Sequence, residues 1–449
     1  MALIRTYGFW IFAMASALLY FLFAQEFQRT QHLELFISFA TLVALWLIMH
    51  RFAPKKWMWL FAAGLAFRLC FLFATPHLSD DYFRFLWDGE LSKDGYEVFG
   101  FVPNDYDEHV SEEHQEKYRQ MLQYQGTMEF PDGMNSKNYY SIYPTVNQFV
   151  FQTSAMGGNP ERTNLDLLRL WILIAEIATF FLLKALLTSK NRSNWLSLYW
   201  LHPLIIIELT GNLHLEALAI TFIVLALYLA HINHWIGAAL VVSLGVMTKL
   251  TPLLMLGAFF KHLDWKRWLI HCTVAVAASI GLFAIYVDLG TFANFKASVG
   301  LFFAWFSFNT GIYYSLKELV LLISGADISA WISLFFPFIS AGIMIWITFF
   351  KKADVATTAL LLFTTYFLFT PILHPWYVTV LIPLAILSKK IYPLIWSVLI
   401  FGTYLAYGAT FKEPLWWIII EFSVVITFLF AEFKKEENWS HRIANRLYH

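Results

Sequence analysis

The run Ser79-Asp80-Asp81-Tyr82-Phe83-Arg84-Phe85-Leu86-Trp87-Asp88-Gly89 begins just after an apolar stretch ends. Two adjacent carboxylates and an arginine thus stand where a membrane helix would emerge into water. On a helix, Asp81, Arg84/Phe85 and Asp88 share one face at i, i+3/4 and i+7. A carboxylate against apolar surface gains basicity and can serve as a general base, while a nearby arginine opposes that shift and fixes the geometry. An interfacial helix start would use the same residues, with Ser79 or Asp80 as cap and Arg84 paired to Asp80 or Asp88.

Three more segments carry chemistry-bearing side chains. Within His202 to Glu216, Glu208 is an acid in or near the membrane, followed by a polar break at Gly211-Asn212 and then by His214 and Glu216. Such an acid is expensive and marks function unless a neighbouring helix pairs it. Thr248-Lys249-Leu250-Thr251-Pro252 separates two short apolar segments. Broken helices line ligand cavities, and Lys249 there would bind a phosphate as a point charge or snorkel to the interface. His374-Pro375-Trp376-Tyr377 joins an imidazole, able to act as acid or base, to two rings common in aromatic belts. Arg68, late in an apolar stretch, is a further anion ligand or snorkelling residue.

The elements that position these groups are membrane helices. The 449 residues are 59% hydrophobic and 14% charged, outside soluble usage, with 45 Phe, 19 Trp and 21 Tyr to supply interfacial belts. A net charge of zero gives no footprint for nucleic acid. Cys70 and Cys272 both lie in apolar stretches, so no disulfide framework or CxxC metal site is expected. The first apolar run, Tyr7–Ala24, ends without a small-x-small cleavage pattern and reads as a retained helix.

At roughly 20 apolar residues per span, about twelve to fourteen transmembrane or half-helices are expected. They cover Tyr7–Ala24, Leu33–His50, Trp57–Thr75, Leu167–Leu187, Trp195–Leu209, Ala217–His231, Trp235–Met247, Pro252–Phe260, Trp268–Val287, Ser329–Phe350, Val355–Phe369, Trp376–Leu387, Ile391–Tyr407 and Trp416–Phe430. Lys and Arg collect in connectors at Arg51/Lys55/Lys56, Lys184/Lys190/Arg192, Lys261/Lys266/Arg267, Lys351/Lys352, Lys389/Lys390 and beyond Lys434. All fall on one side if the amino terminus starts there and Trp235–Phe260 crosses and returns, and that side is read as cytoplasmic. Arg68, Asp80/Asp81, Glu208/His214/Glu216, Lys249 and His374 then map to the opposite leaflet.

The chain divides into N-terminal membrane helices (1–75), an extracytoplasmic loop (76–165), a bundle with broken helices (166–432) and a cytoplasmic tail (433–449). In the loop, Val110, Tyr118, Met121 and Leu122 suggest an interfacial amphipathic helix, and Tyr143-Pro144 opens another. An aromatic stretch near 297–325 is expected on the outer surface. The fold class is therefore an all-α polytopic membrane protein.

In this order the segments resemble the GT-C superfamily of integral-membrane glycosyltransferases, particularly the bacterial polyprenyl-phosphate-sugar enzymes described as mannosyltransferases. The matching pieces are Asp80–Gly89, Tyr143-Pro144, His202–Glu216, Lys249–Pro252 and His374–Tyr377. The chain departs at Gly95-Tyr96-Glu97-Val98-Phe99, where the family often has Asn-Pro-Tyr after the Gly. It departs again at Tyr143-Pro144-Thr145, where Tyr-Pro-Pro is common, and in its two extra spans before the loop.

The resemblance implies a GT-C-type bundle in a bacterial inner membrane. A hexose, mannose first, would leave a polyprenyl phosphate for a glycan, lipid or glycoprotein acceptor by inverting displacement, among membrane lipids. Asp81 matches the family's acid-x-x-Arg-aromatic spacing and would be the base, with Asp80 close behind as cap or acceptor ligand. Arg68, Arg84, Lys249 and His374 would meet the anionic leaving group. Asp88, Tyr143, Glu208, Asn212, His214, Glu216, Trp376 and Tyr377 would hold sugar or acceptor. No cofactor is obligatory and no metal ligand set is assigned, although Asp80/Asp81 are able to take a divalent ion. A transporter would place its polar groups near the midplane with paired repeats. A flippase or polymerase for lipid-linked sugars would handle the same lipid without needing the acidic pair.

Overall fold

The computed structural model describes residues 2–123, 133–159, 162–305, 307–408 and 411–434. The tail beyond 434 and residues 124–132 of the large loop lie outside the described residues. The chain is an all-helical polytopic membrane protein. Among the described residues the only extended pairing is an isolated bridge between Phe308 and Ile372.

Helices long and apolar enough to cross a membrane are Tyr7–Gln25, His32–Arg51, Thr163–Ser189 and Leu415–Phe433. Ile205–Gly211 and Glu216–His231 are apolar enough together but bend by 116° at their break, as in a broken span or a re-entrant loop. Several other expected spans resolve into shorter or broken pieces, because their polar and proline residues interrupt the ladder. Trp195–Leu209 breaks at His202-Pro203 into Leu196–Trp200 and the π-helix Ile205–Gly211. Pro252–Phe260 becomes a 3-10 turn, Thr251–Leu254, followed by Met255–Phe259, too short to span. Trp376–Leu387 divides into Pro375–Val378 and Leu381–Ser388. The expected aromatic stretch is two helices, Phe292–Trp305 and Gly311–Ser324.

Two features of the large loop govern the site. Helix Asp81–Lys93 has Asp80 at its N-cap position, yet the Asp80 side chain makes no capping bond, and the Asp81 N–H donates to Ser79 Oγ at 3.3 Å instead. The Asp80 carboxylate is thereby left for other partners. Pro144 caps the following helix, Thr145–Ala155, which packs closely on Asp81–Lys93. The approach depends on Gly89: a Cβ there would lie 2.5 Å from the Phe151 carbonyl oxygen. Phe85 and Phe151 stack beside this contact, with centroids 4.7 Å apart.

The suggested amphipathic helix is Glu112–Gln123. Its Tyr118 is fully buried edge-on to Trp87, and its hydroxyl donates to Asp94 at 2.9 Å. Lys117 bridges Glu90 and Asp94. This helix therefore closes over Asp81–Lys93.

Candidate active site

A cavity of about 600 Å³ opens where the large loop meets the broken helices. That size suits a small-molecule site. Asp80, Asp81, Arg84, Lys249, His374 and Glu216 all line it. They come from four separated parts of the chain, and each arrives at a helix start or break.

Asp81 keeps 28% of its side chain exposed, toward the cavity. Desolvation pushes its carboxyl up to about 7, the negative charges of Asp80 and Glu216 add to the rise, and Lys249 opposes it. Desolvation also raises Asp80, against the pull of Arg29 and a hydrogen bond with Asn135. The pair thus shares one site with unequal surroundings: Asp80 has a cation and an amide, whereas Asp81 faces carboxylates.

The cations differ in how far they are committed. Lys249 pairs with Glu216, and its Nζ lies 3.1 Å from the centroid of Tyr377. Arg84 donates from Nε to Asp88 at 2.7 Å and from Nη1 to the Tyr139 carbonyl at 2.7 Å. Its Nη2 is buried with no hydrogen-bond partner among the described residues. His374 is half-buried, its buried Nδ1 has no hydrogen-bond partner among the described residues, and the ring stacks on Trp376 at 4.3 Å. The Phe308–Ile372 bridge sets Phe308 against the other face of His374, at 4.7 Å.

Several residues expected in the site are placed elsewhere. Arg68 does not line the cavity: it is fully buried against Glu176 and donates to the Gly64 and Trp200 carbonyls at 2.9 Å. An apolar span has used it to neutralise an internal acid, which corrects its assignment to phosphate. Asp88 accepts from Arg84, Ser141 and Gln148, so it ties the 136–148 segment to the helix and touches no cavity surface. Glu208 accepts from Tyr404 at 2.9 Å and from Asn212 at 3.3 Å. Asn212 in turn accepts from the Leu78 N–H. Both lie behind His214 instead of in the lining.

Trp376 lines the cavity but offers no face for a sugar, since His214 covers one side at 3.7 Å and His374 the other. Tyr143, His214, Glu216 and Tyr377 remain in the lining. Sequence reasoning missed Arg29, which lines the cavity with its guanidinium 4.5 Å over the Tyr407 ring. Its signal was available: Arg29 is an arginine in the short connector facing away from the basic side.

Residues 145–263 match the family model for the N-terminal domain of alpha-(1->6)-mannopyranosyltransferase. The likeness to GT-C-type mannosyltransferases holds over that segment. It supports a glycosyltransferase that moves mannose, and with it a sugar donor and a glycan acceptor. The matched segment contains Glu208, Asn212, His214, Glu216 and Lys249, while Asp80, Asp81 and His374 lie outside it. No curated protein and no solved structure matches the chain.

Proposed function

We propose that the chain transfers mannose from a polyprenyl phosphate to an acceptor hydroxyl in this cavity, by one inverting displacement. The observation that carries the reading is Asp81 in one cavity with Lys249, Arg84 and His374. Asp81 removes the acceptor proton as the new glycosidic bond forms. The phosphate leaves with the electron pair of the broken bond, and Lys249 and Arg84 offset its growing negative charge. His374 lines the same cavity, and its ring N–H can donate to a phosphate oxygen there.

The apolar helices around the cavity suit a lipid-borne donor, and the wet loop suits the acceptor. The charge pattern of the connectors supports an extracytoplasmic site, in what we read as a bacterial inner membrane. The acceptor is a glycan, lipid or glycoprotein hydroxyl. Because the leaving group is already a phosphate ester, no metal step is required. The domain division into membrane helices, catalytic loop and broken-helix bundle follows this division of labour.

Transfer of radiolabelled mannose from lipid phosphate, in vesicles carrying the full chain, tests the reading. D81N and the D80N/D81N double variant should lose transfer, and chelation should leave the wild-type rate unchanged. Full activity in D80N, D81N and the double variant would remove base catalysis by this pair. A lipid-linked sugar that crosses the bilayer without being transferred would favour a flippase.

A further inference from the structure

We infer that His214 is the positioning residue of Asp81, an imidazole set between two carboxylates to share the proton that Asp81 takes from the acceptor. This rests on the mannosyl-transfer reading and gives His214 and Glu208 a different task from holding sugar.

Four geometric observations converge on His214. Its Nδ1 lies 3.9 Å from Asp81 Oδ2, and its Nε2 lies 3.7 Å from Glu208 Oε2. Nε2 is buried with no hydrogen-bond partner among the described residues. The ring lies nearly flat on Trp376, with centroids 3.7 Å apart and planes 15° apart. The backbone is strained to present it: buried Leu213 sits at φ 63, just after the π-helix Ile205–Gly211. A left-handed Leu is rarely tolerated, and both it and a π-turn concentrate at functional positions.

The chemistry follows from the placement. Glu208, held by Tyr404 and Asn212, faces Nε2 and favours the tautomer with the proton there. Nδ1 is then an acceptor facing Asp81. While Asp81 is ionised, two acceptors oppose each other, and 3.9 Å lies beyond hydrogen-bond range. Once Asp81 holds the acceptor's proton, its O–H can donate to Nδ1 and the gap closes. In the balanced step the acceptor oxygen bonds to the anomeric carbon, and the anomeric carbon–oxygen bond to phosphate breaks with its electron pair on the phosphate. The proton goes to Asp81, is shared with Nδ1, and returns through Asp81 to water. Positive charge gained by the ring is met by Glu208 on one side and the Trp376 face on another.

The surroundings act in both directions. Burial is the largest opposition to a charged His214 ring, His374 and Lys249 add to it, and Asp81 and Glu208 are the carboxylates within 4 Å that favour a shared proton. Asp81 itself faces Asp80, Glu216 and Lys249, with Tyr143, Tyr377 and Tyr407 around it.

The test uses the full chain in vesicles with mannosyl polyprenyl phosphate. H214F keeps a ring on Trp376 and removes both nitrogens. Its kcat should fall on the order of 10²-fold, with donor KM within about twofold of wild type. The acid limb of its pH–rate profile should move to lower pH, because protonated Asp81 has lost its acceptor. H214N restores an acceptor beside Asp81 but cannot take a proton, so its acid limb should return toward wild type while kcat stays low. A merely structural residue would not produce that split.

The Asp81 carboxyl stretch, isolated by infrared difference against D81N, reports the same titration without turnover. An unchanged midpoint in H214F overturns the pairing whatever the activity. A shifted midpoint in a chain that transfers no mannose supports the pairing and refutes the transfer reading.

Discussion

Lys249 and Glu216 form an ion pair inside the cavity, capped by the Tyr377 ring 3.1 Å from the ammonium. A cation held this way cannot swing freely, so its charge is pre-aimed, yet part of that charge is spent on Glu216. The two partners should therefore respond with opposite signs. K249M should lower kcat/KM for the lipid donor by about 10²-fold or more, because a developing anion loses its counter-charge. E216Q should lower donor KM by about twofold or more, since one negative charge facing the phosphate is gone. Initial rates against donor concentration check both.

Asp81 and Asp80 should be separable by pH. A base must be ionised, and Asp81 is pushed up to about 7, so kcat should fall as pH drops through that region. D81N should lose on the order of 10² to 10⁴-fold, and D80N less than about tenfold. Stability runs the other way. The folded chain binds the Asp81 proton more tightly than the unfolded chain, so stability falls as pH rises from the ordinary carboxylate range through about 7. Thermal unfolding of D81N in detergent should show less of that loss than wild type.

What the sequence reveals here is where charge is improbable. Asp81, Lys249 and His374 are conspicuous because each interrupts apolar chain, and the structure places all three in one cavity. Which face of a ring stays open is a different kind of fact. Trp376 is a plausible sugar platform by residue type, and only tertiary packing puts an imidazole on each side. Arg68 shows the same limit, since its partner Glu176 lies more than a hundred positions away and within another helix. Where a span breaks is hidden for a related reason: hydropathy registers apolar content, whereas an unbroken crossing also needs a continuous backbone ladder.

Gly89 is where a short motif acquires a packing reason. A methyl group there would meet the Phe151 carbonyl oxygen at 2.5 Å and its carbon at 2.9 Å, and a backbone cannot step aside as a side chain can. G89A should push Asp81–Lys93 off Thr145–Ala155 and destabilise the protein by about 1–3 kcal/mol. The displaced helix carries Asp81, so kcat should fall more than donor affinity does. Unfolding midpoints and steady-state kinetics on one preparation separate the two effects.

Arg68 provides the contrasting case, a conspicuous charge committed to the fold. Its Nε donates to Glu176 at 3.0 Å, its plane lies 3.8 Å from the Trp200 ring centroid, and Tyr199 completes the acid's hydrogen bonds at 2.7 Å. Removing one partner leaves the other buried and uncompensated, so R68M should destabilise by about 3–5 kcal/mol. R68M/E176Q, with both charges gone, should recover more than half of that loss. Per mole of folded protein, donor KM should match wild type in both variants. A KM that rises in the well-folded double variant would return Arg68 to the phosphate site.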